Sequence, residues 1–236
     1  MPFASPPVGL GTLTTASTGT STITVSTGAS VGDLVVVCAA HSRATATLSS
    51  VSSSPANTWT VDLTDPHAGG GSGANFASSV LTSALTASSS TITLNWSVTT
   101  SSNVNIAPFK VTGGAVSPAW NDVEASSEGS ATGGVAVSSP TTGTTAQANE
   151  MLFGIGAINN SRTYTTAAPW TELVDFTQGN PSLQVAYRYV TSAAGYAYTA
   201  TPSNTGNYVI AIATYKEGGG ASPGIPYVAM APRIAA

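Results

Sequence analysis

The run Gly32-Asp33-Leu34-Val35-Val36-Val37-Cys38-Ala39-Ala40-His41 is echoed by Asn149-Glu150-Met151-Leu152-Phe153-Gly154-Ile155-Gly156-Ala157-Ile158. The echo continues downstream in the same order. Asn57-Thr58-Trp59-Thr60-Val61-Asp62-Leu63 matches Pro169-Trp170-Thr171-Glu172-Leu173-Val174-Asp175, residues 76–85 match 183–191, and residues 103–111 match 207–215. Colinear repetition at this spacing marks a duplicated β unit of about a hundred residues, the size of one sandwich.

Outward from these blocks, the chain reads as strands throughout. Short apolar or alternating runs recur between clusters of Gly, Pro, Ser and Asn, as in sandwiches and jelly rolls. In residues 182–190, Leu183, Val185, Tyr187 and Tyr189 share one face, and Gln184, Ala186 and Arg188 the other. Residues 208–215 alternate less cleanly, as expected of a strand buried on both faces. No stretch shows a capped 3.6-residue apolar period, so almost no helix is expected. The fold class is therefore all-β: an antiparallel sandwich or jelly-roll-like architecture built from two related halves, with extended terminal arms. The expected divisions are an N-terminal arm (1–19), a first repeat (20–112), a crossover loop (113–133), a second repeat (134–217) and a C-terminal arm (218–236). Tandem sandwiches and one interlocked body both fit, and the missing long linker favours a compact body.

Composition narrows the function. The 236 residues are 42% hydrophobic but only 7% charged, with a net charge of −4. Soluble domains usually carry about a quarter charged residues. Disorder does not follow, because aromatic and β-branched residues are plentiful. No apolar stretch approaches the roughly 20 residues of a membrane helix. The surface is expected to be Ser, Thr, Gly, Ala and Asn, and Thr suits strands. Six scattered basic residues make no positive stripe for nucleic acid. Met1–Pro7 lacks the basic and apolar regions of a secretory signal, so synthesis in a host cytoplasm and release without export is the expectation.

No residues assemble into a convincing catalytic, cofactor or metal site. The one cysteine, Cys38, sits in an apolar strand and reads as a small buried hydrophobe. Of the two histidines, His41 ends the first repeated strand. His67 joins Asp62 and Asp65 in the only dense ligand-like cluster, which reads as a polar turn. Asp122, Glu124 and Glu128 could supply paired carboxylates for glycoside hydrolysis, but their Gly- and Ser-rich context reads as a solvated loop. No Gly-x-Ser-x-Gly elbow is present, and Gly69-Gly70-Gly71-Ser72-Gly73 lacks the lysine and helix of a phosphate loop. Trp59 and Trp170 occupy equivalent positions and read as core. Trp120, in the expected crossover beside Asn121 and Asp122, is the candidate for stacking on a sugar ring. After Gly218-Gly219-Gly220, the segment carrying Ile225, Tyr227, Val228, Met230 and Ile234 is too apolar to cover itself. It is expected to dock as an assembly arm on a neighbouring subunit.

Gly32-Asp33-Leu34, Asn57-Thr58-Trp59-Thr60, Tyr198-Thr199-Ala200-Thr201 and Ala211-Ile212-Ala213-Thr214-Tyr215-Lys216 together resemble a β-sandwich family of tailed-phage and prophage structural proteins. The likeness spans most of residues 20–217. It implies a non-enzymatic virion component, such as a capsid decoration, head fibre or tail protein, whose partners are other virion proteins and copies of itself. The alternative expectation is a carbohydrate-binding adhesin or receptor-binding module.

Overall fold

The computed structural model describes residues 3, 5–11, 13–15, 20–24, 29–42, 48–67, 76–88, 91–96, 104–114, 120–159, 161–177 and 180–218. The first half contains β1 (Val8–Gly9), β2 (Leu13–Thr15), β3 (Thr20–Thr24), β4 (Leu34–Ser42), β5 (Leu48–Ser54), β6 (Thr60–His67), β7 (Phe76–Ala84), β8 (Thr91–Trp96) and β9 (Val104–Val111). The second contains β10 (Asn121–Ala131), β11 (Val137–Ser138), β12 (Asn149–Ile158), β13 (Tyr164–Thr166), β14 (Thr171–Phe176), β15 (Ser182–Thr191), β16 (Thr199–Pro202) and β17 (Gly206–Lys216). Among the described residues there is no helix.

The two halves share one topology. In the first, β1-β9-β4-β7-β6 form a large sheet, with β2 also on β9, and β3-β8-β5 a small one. In the second the orders are β10-β17-β12-β15-β14 and β11-β16-β13. With β1 and β2 counted as one broken strand, each half reads 1-8-3-6-5 over 2-7-4. First pairs with last, second with second-last and third with third-last, which is the wrap of a jelly roll. Every pairing among the described residues is antiparallel.

Three cores follow from the alternation of side chains. Val35, Val37 and Ala39 of β4 face Ile92, Leu94 and Trp96 of β8, making the core of the first sandwich. Leu152 and Ile158 of β12 lie with Tyr164, Tyr198 and Ala200, making that of the second. The alternate residues, Leu34, Val36, Cys38 and Ala40 on β4 and Met151, Phe153, Ile155 and Ala157 on β12, meet in a third core between the two large sheets. The molecule is thus a stack of four sheets, small–large–large–small, and both inner sheets are covered on both faces. Antiparallel sheets usually keep one face in water. Here β12 is buried from Glu150 to Ile158 and β17 from Val209 to Tyr215, which explains the weak alternation of residues 208–215. The outer strand β8 shows the opposite signature: Ile92, Leu94 and Trp96 point in, while Thr91, Thr93 and Asn95 are half-buried.

The structure corrects three expectations. Residues 121–131 are not a crossover loop but β10, the edge strand beside β17. An edge strand has one neighbour and one open side, so its Ser, Glu and Gly content obscured it in sequence. The described part of the N-terminal arm is stitched into the first sheet: Val8 and Gly9 pair with Lys110 and Phe109, Leu13–Thr15 with Ile106–Val104, and Leu10 is buried. Asp65–His67 continue β6 rather than forming a turn. The C-terminal arm residues Ile225, Tyr227, Val228, Met230 and Ile234 lie outside the described residues.

Candidate functional site

Polar groups gather at the seam between the two large sheets. Residues 61–63 of β6 and 172–174 of β14 carry a β-bulge at the same place in each repeat: the register shifts between Val61 and Leu63, and again between Glu172 and Val174. A bulge re-aims the extra residue. In the second half that residue is Leu173, packed against the central core. In the first it is Asp62, whose Oδ2 accepts from Thr82 Oγ1 at 2.6 Å and from Tyr215 Oη of the opposite half at 3.0 Å. Trp120 Nε1 in turn donates to Thr82 Oγ1. Burial pushes the Asp62 carboxyl up to about 6, against the two hydroxyl donors and with the Glu124 charge adding to the rise.

Trp120 is therefore not a sugar platform. Its ring is only 5% exposed and belongs to the central core. Lys216 N–H donates to the Trp120 carbonyl at 2.8 Å, which docks the chain just before β10 against the end of β17 and turns the indole into the seam. Trp59 and Trp170 pack in the two sandwich cores, Trp59 partly buried and Trp170 edge-on to Tyr198 at 4.8 Å.

The acidic residues that looked like a loop cluster lie along β10 and divide. Asp122 contacts Lys216 Nζ at 3.2 Å and accepts from the Ala146 N–H. Burial works against its charge, but the Ala146 N–H, the Glu150 carboxyl and the Lys216 ammonium hold it below the usual carboxylate range. Glu150, missed in sequence because it opens an apolar strand, is fully buried beside Asp122. Burial first, then the Asp122 carboxyl, push it up to about 7. One carboxyl held ionised beside one held protonated is the chemistry of an acid–base pair. Glu150, however, has no exposed surface, so the pair lies inside the fold rather than in an open cleft.

Cys38 lies in the central core, and burial pushes its thiol up far beyond its ordinary range. His41 is buried with its ring 4.3 Å from that of Trp96. The expected Asp62–Asp65–His67 cluster does not hold as a unit: Asp62 turns into the seam, and the side chains of Asp65 and His67 are outside the described residues. No group of three or more His, Cys, Asp or Glu that could hold a metal occurs among the described residues.

Among the described residues, a groove opens where the N-terminal segment crosses onto the second half. Phe3, Ser5, Pro6, Met151, Tyr187 and Tyr189 line a cavity of about 250 Å³. Phe3 stands edge-on to Tyr189 at 5.8 Å, and Tyr189 remains 41% exposed. Glu217 forms the polar rim: Oε1 accepts from Phe3 N–H at 2.8 Å and Tyr189 Oη at 3.3 Å, and Oε2 from Asn149 Nδ2 at 2.8 Å. Sequence reading placed Tyr187 and Tyr189 on one strand face but gave no sign of the groove. Its other wall comes from residues nearly two hundred positions away.

Comparison of the chain with protein-family models, with curated proteins and with solved structures gives no match.

Proposed function

We propose that this chain is a non-enzymatic structural component of a phage virion, exposed on the particle surface as a capsid decoration, head fibre or tail protein. The observation that carries this reading is the four-layer stack itself. Two jelly rolls fused back to back through a shared apolar core make a stiff block, and the Ser- and Thr-rich outer strands offer neutral hydroxyls rather than charges. Contacts made by such a surface vary little with salt, because screening acts on charges. The blocks that carry the resemblance lie in or beside strands of the large sheets: Gly32-Asp33-Leu34 leads into β4, the Asn57–Thr60 block into β6, and residues 211–216 close β17. The partners in this reading are other virion proteins and copies of the chain, joined through sandwich surfaces and terminal arms.

The test is co-purification. Antibody raised against the chain should label particles banded on a density gradient from a lysate of its source. Recovery of the chain only in the soluble fraction of that lysate would overturn the reading.

A second reading, a carbohydrate-recognising module on a virion or cell surface, draws on the Phe3–Tyr187–Tyr189 groove, since aromatic rings with polar rims suit sugars. A groove of about 250 Å³ is small beside the roughly 300–1,000 Å³ of small-molecule sites, so this reading ranks second. Binding of the full chain to a glycan array, lost in Tyr189→Ala, would favour it.

A further inference from the structure

We infer that the groove formed by Phe3, Ser5, Pro6, Met151, Tyr187 and Tyr189 is the receptor for the chain's own C-terminal segment, residues 225–234. This deepens the assembly reading above and rests on it for its biological use.

Four observations converge. The groove is apolar and open, and its volume of about 250 Å³ suits one or two large side chains rather than a free ligand. The segment Tyr227-Val228-Ala229-Met230-Ala231-Pro232-Arg233-Ile234 supplies such side chains and has no polar face of its own. The described chain ends at the rim of the groove: Glu217 is held there by Phe3, Asn149 and Tyr189, and Gly218 N–H donates to Gly113 O at 2.8 Å. The charge at the rim also matches, with Glu217 on the groove and Arg233 near the end of the segment.

Reach is sufficient. The nine residue-to-residue steps from Gly218 to Tyr227 span up to about 30 Å when extended, and Gly219-Gly220 permits a reversal immediately after the rim. A short tether holds the segment at an effective concentration in the millimolar range, so docking within one chain wins in dilute solution. On a crowded particle, the same contact made into a neighbour's groove becomes the terminal-arm contact. Such an exchange of identical elements costs little because each contact is replaced in kind.

A fluorescent peptide of residues 225–236 is titrated into the full chain and into the chain ending at Gly218. The expected result is saturable binding to the shortened chain and binding about tenfold or more weaker to the full chain, whose groove is already filled. Tyr189→Ala, and separately Ser5→Trp, which adds bulk at the rim without removing a buried group, should each abolish binding to the shortened chain. Absence of binding to the shortened chain overturns the inference. So does equal binding to the full chain, or binding that survives both variants. A glycan-array signal of equal strength with and without residues 219–236, lost in Tyr189→Ala, would assign the groove to sugar instead. Particle labelling is independent of all these readouts, so failure of the docking and failure of the virion reading are separately visible.

Discussion

Tyr215, at the end of the second half, donates its phenolic hydrogen to Asp62 Oδ2 at 3.0 Å, on the bulge of the first half. The equivalent bulge in the second half carries Leu173, which needs no partner. The seam is therefore asymmetric: one side has an apolar plug and the other a buried carboxyl held by Thr82 and Tyr215. Tyr215→Phe keeps the ring against Phe153, now 5.8 Å away, but removes a donor to a buried acceptor. Urea denaturation should show a loss of about 1–3 kcal/mol. A variant as stable as the parent would mean that the hydroxyl contributes nothing.

Four carboxyls are displaced upward by burial: Asp62 and Asp175 to about 6, Glu150 to about 7, and Glu124 above its ordinary range. Each holds its proton more tightly folded than unfolded. Between about pH 4 and 7 the native state therefore binds more protons, and stability falls as pH rises through that window. The melting temperature should be higher at pH 5 than at pH 8, and Asp62→Asn should narrow the difference. A melting temperature that rises from pH 5 to pH 8 would contradict this assignment.

Gly154 sits directly beneath the ring of Tyr198. A Cβ added there would lie 2.3 Å from both Cγ and Cδ2 of the tyrosine. The ring is fixed by its packing against Trp170 and by the hydrogen bond from its hydroxyl to Gln184 Oε1. Gly154→Ala should cost at least the roughly 1–3 kcal/mol typical of overpacking. Adding Tyr198→Leu should recover part of that loss in the denaturation midpoint, whereas strictly additive losses would argue against a clash.

The central core belongs equally to both halves, so neither should stand alone. Residues 3–114 and 120–218, produced separately, each expose one whole face of a large sheet. They are expected to bind a hydrophobic dye or aggregate, while the full chain unfolds in one cooperative transition. A monomeric half with a well-dispersed NMR spectrum would show that the sandwiches are independent domains.

Cys38 is walled in by the central core and its thiolate is strongly disfavoured. A thiol reagent should modify it only when the protein unfolds, with labelling in denaturant tracking loss of native signal. Fast labelling of the native chain would require the two large sheets to part.

The sequence by itself determined the duplication, the all-β class and the strands whose neighbours are the same everywhere along their length. Leu34–Ala40 and Met151–Ala157 are apolar at every position because sheets cover both faces, and composition alone reports that. Strand β8 is equally legible because its alternation has one wet side. Local pattern encodes how much of a residue is buried, not what buries it. Strand β10 was hidden because its single neighbour lets it be as polar as a loop. Trp120 and Asp62 were read outward because their directions are set by a docked carbonyl and a bulge, which break the period of two. The groove joins Phe3 to Tyr189 and Glu217, and it exists only because the first half folds back onto the second. Such cross-chain neighbours come from the packing of sheets, a long-range choice that no short run of residues records.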